Sequence, residues 1–224
     1  QLEQGEVYIQ DAAAQWPAHL LTQHLNNHPN NHTEPGSEAP LLDVCAAPGG
    51  KTLQLADHTN RHTVAADISA ARLSTLCKNV QGTAAIHPLQ ADGFMPPFPD
   101  GTFGGILVDA PCTATGTIRR HPDVMHLRQT KDIKTLQTRQ RALLKAMVPL
   151  LKKGAVVVYA VCSLLPEEGE AQNLWALENL PLKPLDIKNL PACFTNNQPT
   201  KNALRLTPLD GTDGFYIALY QKTD

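Results

Sequence analysis

The sequence predicts a doubly wound α/β fold, a mostly parallel sheet that closes in an antiparallel hairpin. Three observations predict it. Short apolar, β-branched runs alternate with stretches of helical periodicity from residue 40 onward. Acids or cysteines stand where several of those runs end, and the C-terminal segment changes to two strand-like runs around Asp210-Gly211-Thr212-Asp213. Repeated strand-helix units build parallel sheets covered on both faces, and such sheets take ligands at the carboxyl ends of their strands.

Taken in order, residues 26–40 are rich in Asn, His, Pro and Ser and read as a loop or linker between an N-terminal piece and the core. Residues 40–44 form a first strand that reaches Asp43, and an Ala-Pro-Gly-Gly loop leads into a helix over 51–58. A second strand follows over 62–67, a helix over 70–80, and a weaker third strand over 83–89. Residues 105–109 make a fourth strand, apolar enough to be buried on both faces. A long amphipathic helix is predicted over 132–152, terminated by Gly154. Residues 155–161, the most β-branched run of the chain, give a fifth strand. Pro166-Glu167-Glu168 then starts another helix, with acids in its first turn where the helix dipole favours them. Residues 203–209 and 214–221 complete the hairpin.

With 224 residues, of which 42% are hydrophobic, the chain can bury one sizeable core as a single globular unit. No stretch approaches the roughly 18 uninterrupted apolar residues that span a bilayer, and no charged start precedes an apolar segment, so a cytoplasmic location is expected and no membrane partner. The five cysteines, Cys45, Cys77, Cys112, Cys162 and Cys193, are odd in number and widely spaced, without a Cys-x-x-Cys pair or clustered histidines. That pattern predicts free thiols and no metal site. The formal net charge of −2 argues against a nucleic-acid partner, but the average misleads. Residues 110–153 carry ten Lys and Arg against two acids. The stretch is either a solvated helix face or a phosphate-binding surface.

Two constellations carry chemistry. The first is Cys45-Ala46-Ala47-Pro48-Gly49-Gly50-Lys51 after the first strand, with Asp67 ending the second. Small residues let backbone approach a ligand, and an acid at that strand end can accept the hydroxyls of an adenosine ribose. The loop is neither Gly-x-Gly-x-x-Gly nor a P-loop, which favours S-adenosylmethionine over a dinucleotide. Asp92, beyond the third strand, takes the adenine amino group or is a surface turn. The second constellation is Asp109-Ala110-Pro111-Cys112 beyond strand four and Val161-Cys162-Ser163 at the end of strand five. Two cysteines on adjacent strand ends are buried packing or a pair of reactive thiols. Arg119-Arg120-His121 follows the Cys112 loop and is placed to hold phosphates.

The runs Leu-Leu-Asp-Val-Cys-Ala-Ala-Pro-Gly-Gly-Lys-Thr, Val-Asp-Ala-Pro-Cys-Thr-Ala-Thr-Gly and Tyr-Ala-Val-Cys-Ser-Leu-Leu-Pro-Glu-Glu resemble the Sun/Fmu superfamily of RNA cytosine-5 methyltransferases. The Ile-Arg-Arg-His-Pro-Asp extension, residues 7–15 and residues 210–216 resemble in particular its bacterial 16S ribosomal RNA branch. The resemblance runs over 7–220, with modest departures: Thr113 where Ser is common, Val161 where Thr is common, Ala91 where Gly is common. It implies a Rossmann-like S-adenosylmethionine-dependent methyltransferase domain over 37–224, with 1–36 as an N-terminal segment and linker packing on it. It implies Cys162 as nucleophile, Cys112 as the residue assisting product release, and Cys45 to Lys51, Asp67, Asp92 and Asp109 around the methyl donor. Asp109 is further expected to bind the N3/N4 edge of the cytosine, and Arg119, Arg120 and His121 to bind RNA, most naturally small-subunit ribosomal RNA, by a monomer. The bacterial branch carries a helical N-terminal RNA-binding domain, for which no counterpart is expected within these 224 residues, so weak RNA affinity of the chain alone is expected.

Three other readings remain. A DNA-type cytosine-5 methyltransferase would use Cys112 as nucleophile. A non-catalytic RNA-binding or assembly factor would keep the fold without turnover. A dehydrogenase would need the Gly-x-Gly-x-x-Gly loop that is missing.

Overall fold

A computed structural model describes residues 8–27, 39–191, 194 and 197–224. Cys193, Val7 and most of the linker over 26–40 lie outside the described residues. The parallel strands are β1 (Leu41–Val44), β2 (Thr63–Asp67), β3 (Ile86–Gln90), β4 (Phe103–Asp109) and β5 (Leu151–Val161). Antiparallel strands β6 (Leu182–Pro184), β7 (Ala203–Leu206) and β8 (Phe215–Lys222) follow. The sheet order is β3-β2-β1-β4-β5-β8-β6, with β7 pairing the first half of β8. This is the predicted α/β architecture with its antiparallel edge.

Strand alternation sorts the core. Leu41, Leu107, Val156 and Val158 face one side, and Leu42, Ile106, Val108, Val157 and Tyr159 the other. The first side is covered by helices α1 (Ala12–Asn27), α2 (Gly50–Thr59) and α3 (Ala70–Asn79), through Leu21, Leu55 and Leu76 among others. After the short α4 (Val124–Leu127), α5 (Thr130–Met147) and α6 (Glu170–Asn179) cover the second side through Leu143, Leu144, Met147 and Ala176. Among the described residues no helix is long and apolar enough to cross a membrane.

Local chemistry sets several boundaries. Ser69 caps α3 by accepting from the Arg72 N–H at 3.3 Å, and Gln129 and Asp132 form a reciprocal capping box at the start of α5.

Strands β3, β4, β5 and β7 shift by two to four residues at one end, and three further boundaries differ for identifiable reasons. The long helix does not run to Lys152: α5 ends at Met147 and a short 3-10 turn spans Val148–Leu150. Pro149 has no N–H to continue the ladder, and its ring crowds the carbonyl four residues back. Gly154 is not a helix terminator; it sits at φ +78° inside β5, where the pairing shifts from Phe103–Leu151 to Gly105–Val156. The third is the helix expected from Pro166: α6 begins only at Glu170, because Glu168 is drawn fully into the core. Helices α1 and α4 and strand β6 lack a sequence forecast.

Candidate active site

The site lies where β1, β2, β4 and β5 end. Because β4 and β5 are parallel and pair Asp109 with Ala160, Cys112 and Cys162 leave the sheet side by side. Their Sγ atoms are 3.4 Å apart. The Cys162 carbonyl accepts the Gly116 N–H at 3.0 Å. Both thiols border a cavity of about 240 Å³, whose wall also includes Cys45, Asp67, Asp92 and Asp109.

The electrostatics divide the two sulfurs. The hydrogen bond with Cys112 holds the Cys162 thiol below its ordinary value against the cost of burial and the charge of Asp109, and Lys51 assists. The same bond, with burial and the charge of Glu168, pushes Cys112 up. These opposite directions favour Cys112 as the hydrogen-bond donor and Cys162 as the sulfur that ionises first.

Lys51, from the first turn of α2, pairs with Asp109 Oδ2 at 2.8 Å and lies 5.5 Å from the centre of the Phe215 ring. Asp43 accepts from Thr52 Oγ1 at 2.6 Å, while its Oδ1 is buried without a partner. Burial raises its carboxyl to about 7, against the hydrogen bond from Thr52. Cys45 adopts φ +63°, and burial pushes its thiol up to about 12, so it is an inert wall of the cavity. Gly49 turns the chain at φ +107° into α2, where only a residue without Cβ avoids strain.

Asp67 accepts the N–H groups of Ala47 and Ser69 at 3.3 and 2.9 Å, and Arg72 caps it at 2.9 Å. Asp92 closes a small turn by accepting the Phe94 N–H at 2.9 Å, so it is both a turn residue and part of the cavity wall. These residues fit a nucleoside: an acid at each of two strand ends, and between them an apolar wall of Ile68, Ala91 and Phe94. Among the described residues no cluster of three or more metal-ligating side chains exists.

Arg119, Arg120 and His121 stand apart. None borders the cavity. Arg120 grips buried Asp213 through Nε at 2.7 Å and through Nη2. Arg119 is more than half exposed and 3.5 to 3.6 Å from Asp213 and Asp11. His121 is exposed.

One residue set goes unnoticed at the level of sequence. Glu168 accepts the Thr113 N–H at 3.0 Å, the Thr113 hydroxyl at 2.5 Å and Gln140 Nε2 at 3.0 Å. The only available signal is the Pro-Glu-Glu run, which the helix-dipole argument accounts for in another way.

An eight-stranded sheet of this order with a ligand cavity at its carboxyl edge defines a Rossmann-like methyltransferase fold. The 16S rRNA methyltransferase RsmB/F family model matches residues 30–221, and the chain belongs to that family. Ribosomal RNA small subunit methyltransferase B of Yersinia pseudotuberculosis is 38% identical over 224 residues, covering 98% of this chain and 48% of that protein. The crystal structure of NSun6 from Pyrococcus horikoshii superposes with a TM-score of 0.76 at 26% identity, covering all of this chain and 55% of that one. A methyltransferase homologue from the same organism gives 0.75 at 32% identity, over 98% of this chain and 69% of that one. The chain spans about half the length of the curated relatives it matches.

Proposed function

We propose that this chain is the S-adenosylmethionine-dependent domain of an RNA cytosine-5 methyltransferase acting on small-subunit ribosomal RNA, with Cys162 as nucleophile. The domain is taken as residues 37–224, working as a monomer in the cytoplasm. The observation that carries this reading is the 3.4 Å pair of Cys112 and Cys162 beside the Lys51–Asp109 ion pair. Family membership and the relatives' names support the RNA substrate.

When bound, the cofactor supplies an electrophilic methyl group. Asp67 would hold its ribose hydroxyls, Asp92 its adenine edge and the loop from Cys45 to Lys51 the remainder. Cytosine C5 is a poor nucleophile, so the Cys162 thiolate adds to C6 and its electron pair raises the density at C5. Asp109, steadied by Lys51, meets the N3/N4 edge of the base by accepting from the N4 amino group, and the Lys51 ammonium beside it offsets the negative charge that the addition pushes toward N3. After methylation the C5 proton passes to water and its bonding pair forms the C5–C6 double bond. The C6–S pair returns to Cys162, and the Cys112 thiol donates a hydrogen bond to the departing sulfur. A base must leave its stack to reach such a cavity, which favours single-stranded or loop RNA. Arg119 and His121 are left to meet phosphates, since Arg120 is committed to Asp213.

The opposite polarity, Cys112 attacking as in DNA enzymes, is disfavoured by the directions of the two thiols. The test is transfer of labelled methyl groups to small-subunit ribosomal RNA, with denaturing gels for protein–RNA adducts. Loss of transfer in Cys162→Ala and adduct accumulation in Cys112→Ala are expected; the reverse pattern overturns the assignment.

A further inference from the structure

Around Cys112, both flanking peptide units are tied down by side chains from elsewhere. The Pro111 carbonyl accepts from Gln140 Nε2 at 3.0 Å, and the Thr113 carbonyl from Arg128 Nε at 3.0 Å. The Thr113 N–H and hydroxyl both donate to Glu168. Gln140 bridges the two, because the same Nε2 that meets Pro111 also donates to Glu168 Oε1.

Glu168 and Gln140 each have 0% exposure. The groups that meet this carboxylate are uncharged: an amide N–H, a hydroxyl and a side-chain amide. Burying a carboxylate is costly unless it is well hydrogen-bonded. Here two of the three donors belong to the loop that carries Cys112, and the third, Gln140 of α5, also holds that loop through the Pro111 carbonyl. The Glu168 carbonyl in turn accepts from the buried Tyr159 hydroxyl at 2.7 Å, which anchors it to β5, the strand that ends in Cys162.

We infer that Glu168 is a positioning residue for the release step: its buried carboxylate fixes the Pro111-Cys112-Thr113 loop so that the Cys112 thiol stays within hydrogen-bond reach of the Cys162 sulfur. This rests on the two-cysteine cytosine-5 reading above. The carboxylate does not touch the reacting base; it acts through Cys112 alone. Its charge has a second effect, because a negative group nearby favours the neutral thiol. Cys112 therefore remains a donor, and the two cysteines do not exchange roles.

The experiment compares wild type, Cys112→Ala, Glu168→Gln and the double variant in the presence of RNA and S-adenosylmethionine. Trapped adduct, steady-state turnover and S-adenosylhomocysteine affinity are measured. Glu168→Gln is expected to accumulate adduct and to lose roughly tenfold or more in kcat while cofactor affinity changes by less than about twofold. The double variant should hold no more adduct than Cys112→Ala, since both changes disable one device. In a Cys162→Ala background, Glu168→Gln should move Cys112 ionisation, followed by thiolate absorbance, to lower pH; a purely structural role would leave it in place. Should Glu168→Gln not fold, Thr113→Val removes one donor to the same carboxylate and should still raise the trapped adduct. Additive effects, or adduct formation lost together with cofactor binding, overturn the inference. If Cys112→Ala itself traps nothing, the cytosine-5 reading is what fails.

Discussion

The division of labour between two sulfurs 3.4 Å apart is a question of one proton. The leading cause of the depressed Cys162 thiol is the hydrogen bond it receives from Cys112, and burial opposes it. Removing that hydrogen bond should raise the pH at which Cys162 ionises. The acid limb of the single-turnover adduct-formation profile should therefore move to higher pH in Cys112→Ala; an unmoved limb would deny Cys112 its role as donor. Asp43 supplies a second residue-scale test. Its folded value of about 7 exceeds the unfolded 3.8, so the native state holds the extra proton between those limits. Stability associated with Asp43 is fully present below about pH 4 and is lost as pH rises through about 7. Asp43→Asn should flatten the melting temperature across that window relative to wild type, by an amount worth a few kcal/mol. Identical slopes for the two proteins would refute the shift. Cys45, Asp67, Asp92, Asp109, Cys112 and Cys162 are readable as a set because each stands at a strand end, where register alone brings them together. Glu168 is not, because its partner Thr113 lies 55 residues away and nothing local distinguishes it from Glu167.

At the scale of elements, the loop after β4 and the start of β8 touch through two glycines. A Cβ on Gly116 would lie 2.0 Å from the Gly214 carbonyl oxygen, and the Gly214 N–H donates to the Gly116 carbonyl at 2.8 Å. Backbone cannot step aside as a side-chain tip can, so Gly116→Ala should cost about 2 kcal/mol or more. It should also displace the Cys162 carbonyl, to which the Gly116 N–H is bonded. Thermal unfolding together with adduct formation checks this; an unchanged melting temperature would mean that the two loops separate freely. The strands are legible in the sequence because β-branched runs have few alternatives, and the hairpin because Asp210 to Asp213 breaks any continuous pattern. Helix α1 is not. Pro17 interrupts its pattern, and the purpose of Leu20, Leu21 and Leu25 emerges only against Leu41 and Leu107 on the sheet. The end of α5 is hidden because the apolar period runs on through Pro149 into β5, where the same residues are buried for another reason.

For the molecule as a whole, the proposed RNA substrate would be met through the charge distribution. The net charge of −2 conceals a stretch over 110–153 with ten basic residues against two acids, and the structure spends part of that surplus internally. Arg120 neutralises buried Asp213, Arg128 reaches the Thr113 carbonyl, and Arg139 and Arg141 lie 5.7 and 5.2 Å from the Phe94 and Trp175 rings. Arg119, more than half exposed and held only at 3.5 to 3.6 Å by two acids, is the cation at this edge best able to exchange partners for a phosphate. Each phosphate neutralised on a single strand adds about 0.7 to the slope of log affinity against log salt. Arg119→Ala should therefore weaken binding of single-stranded RNA and reduce that slope by roughly 0.7 for each phosphate it neutralises, leaving S-adenosylhomocysteine affinity unchanged. Arg120→Ala should act differently. It leaves the Asp213 carboxylate, which is 1% exposed, with only the longer 3.5 Å contact to Arg119, and so lowers the melting temperature before it touches the salt slope. If instead Arg120→Ala lowers the slope at constant stability, its bond to Asp213 is a resting state that RNA replaces, and the whole Arg119-Arg120-His121 cluster faces the backbone of the substrate.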